Sequence, residues 1–227
     1  MSETVESGNL VDQAYEQILS MLYDRGLADG GSLRIARLAD TLGVSRTPVN
    51  MALVRLESEG LLEHTPGGGW TVVPLTLEAI DEIFDLKDVL DPMMARQAAE
   101  RISPEMAERL GEVMAEMETA SARGDVAAWA SADGRFHRLL SEVAGNDRLR
   151  RFQQELNRQF YRLWVGYSAM EGRMAASCAE HRRIGAAVCA GDAEEAARAA
   201  RDHTRNLRRN LIDLVGNVLA PFLGDAL

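Results

Sequence analysis

The 227-residue chain has a formal net charge of -10 and is 46% hydrophobic but only 5% aromatic, which suits one large or two modest, mainly α domains. The acidic balance excludes indiscriminate polyanion binding; no apolar run approaches the roughly 18 residues of a membrane span, so no membrane partner is expected; and residues 1–9 are too polar for a secretion signal. Cys178 and Cys189 stand at no metal-like spacing, so free, buried thiols in a reducing cytoplasm are expected.

Residues 11–25 set Val11, Tyr15, Ile18, Leu19 and Leu22 at helical spacing, ahead of a glycine-rich break at 26–31. Residues 38–50, LADTLGVSRTPVN, then read as helix, tight turn and second helix. Ala39 is small where two helices cross, Gly43 suits a turn with positive φ, and Val49 falls on the buried side of the second helix. Ser45 is expected to cap that helix, with Pro48 still in its first turn. This spacing predicts a helix-turn-helix, which lays its second helix in the DNA major groove; an ordinary helical hairpin remains the alternative. Leu53 and Leu56 continue the inner face as far as Gly60, a helix stop. Residues 61–64 and 70–73 flank Thr65-Pro66-Gly67-Gly68-Gly69, which predicts a β-hairpin and hence a winged helix. His64 is expected to be structural, and Trp70 to anchor the wing against the first helix or the later ones.

Residues 1–75 hold five Arg and ten Asp or Glu, yet Arg34, Arg37, Arg46 and Arg55 all fall in the helix-turn-helix. Such a local patch predicts specific, salt-sensitive binding to double-stranded DNA. Arg46 opens the recognition helix and is the leading DNA contact; Ser45 and Thr47 can reach phosphate. Arg37 suits either a backbone contact or a surface ion pair. Gly67 and Gly68 either let the wing tip approach the minor groove or serve only the turn.

After a short linker at 74–76 only helices are predicted, at 77–101, 104–123, 125–144, 148–166, 170–190 and 192–215. Pro92 is expected to kink the first of them. The expected architecture is a winged helix-turn-helix DNA-binding domain at 1–75, then an all-α antiparallel bundle for effector binding and dimerisation at 76–227. Phe136, Phe152, Leu156, Phe160 and Leu163 read as core or dimer packing. Arg205, Arg208 and Arg209 read as an exposed face. Arg158 and Arg162, one turn apart, face either an effector cavity or solvent. Asp133 and His137 share a helix face, and His181 and His203 lie on two later helices. One carboxylate and three imidazoles converging in a bundle would hold a divalent metal, Zn before Ni, Mn or Co; by spacing alone, hydrogen-bonded or surface histidines remain open.

Residues 38–73 resemble the winged helix of GntR-type transcriptional regulators. Asp133-Gly134-Arg135-Phe136-His137, Ala144-Gly145-Asn146, Ser177-Cys178-Ala179-Glu180-His181, Gly191-Asp192 with Ala196, and Asp202-His203 resemble the FCD domain of the FadR-like branch. The resemblance implies that Asp133, His137, His181 and His203 are metal ligands. It also implies a homodimer that takes a small carboxylate-type effector at or beside the metal. Two departures stand out. Asn50 replaces a usual Arg in the recognition helix, and Asn prefers adenine. Lys87 and Asp91 replace Arg and Glu near the start of the bundle; Lys cannot make the bidentate carboxylate grip of Arg. The expected function is a ligand-responsive repressor acting on a palindromic operator. Its effector would meet Lys87, Arg158 and Arg162. The competing readings are a hydrolytic enzyme whose metal activates water, and an architectural DNA binder without ligand control.

Overall fold

The computed structural model describes residues 2–23, 32–67, 69–73, 76–168 and 172–214. The chain divides into two compact units, Met1–Leu75 with Arg158–Arg162, and Thr76–Asn157 with Leu163–Leu227.

The first unit comprises α1 (Ser2–Tyr23), β1 (Ser32–Leu33), α2 (Ile35–Leu42), α3 (Arg46–Ser58), β2 (Leu62–Thr65) and β3 (Gly69–Val72). The predicted glycine-rich break lies outside the described residues. Gly43 takes φ 66° between α2 and α3, and the Val44 N–H closes the turn onto the Ala39 carbonyl at 3.2 Å. Ser45 occupies the N-cap position of α3, but its side chain makes no capping hydrogen bond, contrary to the expectation from its residue type. At the other end, the N–H groups of Gly60 and Leu61 return to the carbonyls of Glu57 and Leu56, a bonding pattern that satisfies the last free acceptors of a helix.

The strands form one antiparallel sheet in the order β1-β3-β2, with Leu33 opposite Trp70 and His64 opposite Trp70 on the other side. Gly69 has φ 90°, and a Cβ there would sit 2.9 Å from the Leu33 carbonyl oxygen; only glycine lets β1 and β3 meet at this point. Trp70 is buried in a core with Tyr15, Ile18 and Leu22 of α1 and Val49, Leu53 and Leu56 of α3. It therefore anchors the wing within the first unit, and His64 lies against its ring with centroids 4.8 Å apart.

The second unit contains α4 (Leu77–Arg101), α5 (Pro104–Arg123), α6 (Val126–Ala144), α7 (Asp147–Ser168, apart from Arg158–Arg162), α8 (Arg173–Cys189) and α9 (Ala193–Asp213). Five helices open on local capping chemistry: the side chains of Thr76, Ser103, Asp125, Asn146 and Asp192 each accept a backbone N–H three residues on. Pro92 lies inside α4, which runs through it as one helix. Alanines of α4, α6, α8 and α9 allow close approach around Trp129, Phe136, Leu110 and Met117. Cys178 is buried and accepts the Trp129 indole N–H at 3.3 Å, whereas Cys189 is exposed, which corrects the expectation of two buried thiols.

Arg205 and Arg208 are not simply a solvated face: Arg205 pairs with Asp88 at 2.8 Å, and Arg208 pairs with Asp81 at 2.9 Å and Asp85 at 2.8 Å. These pairs tie α9 to α4. Among the described residues, no helix is long and apolar enough to cross a membrane.

Candidate metal centre and DNA-reading helix

The pattern of α3 separates two faces. Pro48, Val49, Ala52, Leu53 and Leu56 are buried, which turns Arg46, Thr47 and Asn50 to the outside. Ser45 and Arg37 are also exposed, and Ser45 keeps its hydroxyl outside any cap bond. Gly67 sits at φ 78° at the wing tip, and Gly68 lies outside the described residues. Arg55 is withdrawn from the predicted basic patch. It pairs with Asp12 at 3.1 Å and Glu59 at 3.4 Å and lies over the Tyr15 ring. The Tyr15 hydroxyl donates to Glu59 at 2.6 Å; burial, then that carboxylate, push its pKa up.

In the second unit, α6 presents Asp133 and His137 one turn apart, α8 presents His181 and α9 presents His203. One ligand atom from each histidine lies within 4.8 Å of the other two. His181 Nδ1 lies 2.8 Å from the Ser177 carbonyl oxygen, which can only accept, so this nitrogen carries the proton of the neutral ring. The lone pair is then on Nε2, which faces Asp133 Oδ1 at 3.1 Å and His137 Nε2 at 3.2 Å. His203 is oriented by the same logic. Its Nδ1 donates to Glu180 Oε2 at 2.7 Å, and the other Glu180 oxygen accepts from Asn206 at 2.7 Å. Ring nitrogens of the three histidines and the Asp133 carboxylate thus converge in one small region. The residues fit a divalent metal, with Asp133 on the border of the three-histidine group: its Oδ2 is 3.9 Å from His137 Nε2.

Electrostatics treat the donors differently: His137 is held neutral, while His181 is held toward its protonated form, a proton that a bound metal would have to displace. Burial pushes the His137 imidazole down to about 4, opposed by the Asp133 carboxylate and aided by the charges of His181, His203 and Lys87. His137 is therefore neutral at pH 7, the form that a metal would need. Burial would lower His181 as well, but Asp133 and the Ser177 carbonyl hold it above its ordinary value. The same pairing holds Asp133 below the ordinary carboxylate value against its own burial.

Lys87 is 5% exposed. It pairs with Asp91 at 2.9 Å and donates to Asn157 at 2.9 Å. Asp91 also accepts from Gln153 at 2.7 Å and Thr204 at 2.8 Å. Because Gln153 spends its NH2 on Asp91, its carbonyl oxygen points elsewhere; that buried oxygen has no partner among the described residues. Arg158, expected beside this cluster, groups with the first unit instead, where the Glu59 carboxylate holds it at 2.8 Å. The Arg162 side chain lies outside the described residues. Sequence reasoning missed Ser177, Glu180, Gln153, Asn157, Thr204 and Asn206. Only Ser177 and Glu180, both in the block that ends at His181, left a signal that could have found them.

Residues 10–72 match the bacterial regulatory proteins of the gntR family, and residues 82–206 match the FCD domain. The chain is 32% identical over 145 residues to an HTH-type transcriptional regulator from the TAR-I ttuE-ttuC' intergenic region of Agrobacterium vitis, spanning 63% of this chain and 85% of that protein. It is 25% identical over 173 residues to the HTH-type transcriptional regulator YdhC of Bacillus subtilis, spanning 76% of this chain and 77% of that one. Among solved structures, E. coli McbR/YncC has the same fold, with a TM-score of 0.77 at 22% identity over 89% of this chain and 96% of that chain.

Proposed function

Since the chain belongs to the gntR family of bacterial regulatory proteins and carries an FCD domain, we propose that this DNA-binding transcriptional regulator is a ligand-responsive repressor. It works in the cytoplasm as a homodimer on a palindromic operator. Its ligand is a small carboxylate-type metabolite held beside a divalent metal. The observation that carries this reading is the convergence of His137, His181 and His203 from three helices. Asp133, His137, His181 and His203 would hold the ion, with Zn preferred and Ni, Mn or Co next, given imidazole and carboxylate donors. A bound ion supplies fixed positive charge for a carboxylate.

The protein's own groups do the rest. Ser177 and Glu180 set the faces of two imidazoles. Lys87 adds positive charge near His137, enough to contribute to lowering its pKa. The unpartnered Gln153 oxygen accepts a donor from the ligand. Ligand binding shifts the population of dimer arrangements, and with it the fit of two recognition helices to successive major grooves. A surface for the second copy is supported by Leu86, Val89 and Met93 at i, i+3 and i+7 on α4, exposed by 55%, 61% and 43%.

A hydrolytic role has no support in the matches, which are those of transcriptional regulators. Gel shifts with the flanking DNA of the chain's own gene test the proposal. A panel of hydroxy and dicarboxylic acids should weaken the complex of metal-loaded protein, with no effect after chelator treatment. Equal responses with and without chelator would sink the metal-assisted reading.

A further inference from the structure

The outward face of α3 changes character along its length. Its first turn is polar, with Arg46 and Thr47; its second and third turns carry Asn50 flanked by Met51 and Val54. Met51 is 52% exposed and Val54 48%, so neither serves the core that the opposite face of α3 builds. Two large apolar side chains on an otherwise polar reading face call for an apolar target. In the major groove, the apolar atom on offer is the C5-methyl of thymine, and the side-chain amide of Asn matches adenine N6 and N7.

Resting on α3 as the base-reading helix, we propose that Met51 and Val54 read thymine methyl groups, and that with Asn50 they tune each half-site to A·T pairs. The unbranched Met51 can follow a methyl across small changes of groove shape. Val54, stiff at χ1, offers a fixed apolar surface. Four residues of helix advance about 6 Å, close to two base-pair steps of ~3.4 Å. Asn50 and Val54 therefore address pairs about two apart in one half-site. Glu57 follows on the exposed side of α3 and brings negative charge toward phosphate, which ends the apolar stretch.

The test uses the full chain and the duplex it enriches from a random-sequence pool. Each thymine of the half-site is replaced in turn by deoxyuridine, which removes only the methyl. At one or two positions the parent should lose affinity about 3- to 5-fold, the worth of one methyl leaving apolar contact. Met51→Ala or Val54→Ala should bind the thymine and uracil duplexes equally at its own position. Met51→Leu and Val54→Ile should keep the penalty. Both Ala changes are on exposed positions of a good helix former, and circular dichroism checks that α3 is intact. A parent indifferent to uracil overturns the inference, as does a penalty that survives unchanged in both Ala variants. A pool that yields no enriched duplex overturns the base-reading assignment of α3 itself, and this inference with it.

Discussion

Glu180 does for His203 what the Ser177 carbonyl does for His181: it accepts the Nδ1–H hydrogen bond, which leaves the lone pair of the neutral ring on Nε2. Groups that orient a ligand in this way are typically worth 10- to 100-fold in metal affinity. Purified protein is expected to carry about one divalent ion per chain, a content that His181→Ala with His203→Ala abolishes, because two donors compete poorly with water. Glu180→Ala should retain the ion but weaken it by about 10- to 100-fold in chelator competition. Unchanged affinity in Glu180→Ala would mean that its pairing with His203 is incidental.

Asp91 gives a pH-dependent counterpart. Its burial alone would raise the carboxyl, but the charge of Lys87 and hydrogen bonds from Lys87, Thr204 and Gln153 hold it below the ordinary value. A carboxyl lowered on folding contributes stability that is complete above its unfolded value of about 3.9 and is lost as pH falls through the folded value. Asp91→Asn should therefore be less stable than the parent at pH 7, with the gap narrowing below about pH 4. Urea titrations at a series of pH values measure this; a gap constant down to the acid limit would contradict it.

Among the elements, α3 separates two roles that residue type alone confuses. Ser45 looks like a cap, and its hydroxyl makes no cap bond. Ser45→Ala should leave stability within about 0.5 kcal/mol of the parent. Arg46→Ala should weaken specific DNA binding by about 1–3 kcal/mol with the helix intact. A large stability loss in Ser45→Ala would restore the capping role.

Element starts were readable wherever the chemistry is local, as at Ser103-Pro104, Asp125 and Asp192. Gly43 and Gly60 were readable for the same reason. Strand β1 was not: its two residues gain their meaning only from pairing with Thr71 and Trp70, far along the chain. The candidate ligands showed through Asp133 and His137 at one-turn spacing and through the quoted blocks. The ring of Gln153, Asn157 and Thr204 around Lys87 and Asp91 did not, because it is assembled across three helices. Arg158 follows Asn157 directly in the chain, yet the two belong to different units. No linear pattern announces such a division.

For the whole molecule, a net charge of -10 sets the terms of DNA binding. Attraction has to come from a few arginines while the remainder of the surface repels phosphate, so affinity should be markedly salt-dependent and nonspecific binding weak. One winged helix contacts few base pairs, which makes two half-sites necessary for useful selectivity. Light scattering should give a dimer for the full chain at micromolar concentration. Val89→Asp with Met93→Asp should shift it toward monomer if the exposed stripe of α4 is the seam. A parent that is monomeric throughout would contradict the dimer.

The contact between Trp129 and Cys178 has an optical consequence. The indole stands one turn before Asp133 on α6, and the thiol lies three residues before His181 on α8. A sulfhydryl held against an indole drains its excited state without emission. Any rearrangement that parts α6 from α8 at this level would brighten tryptophan emission, and one that tightens them would dim it. The second unit thus contains an internal gauge of its own state, one that needs no attached dye.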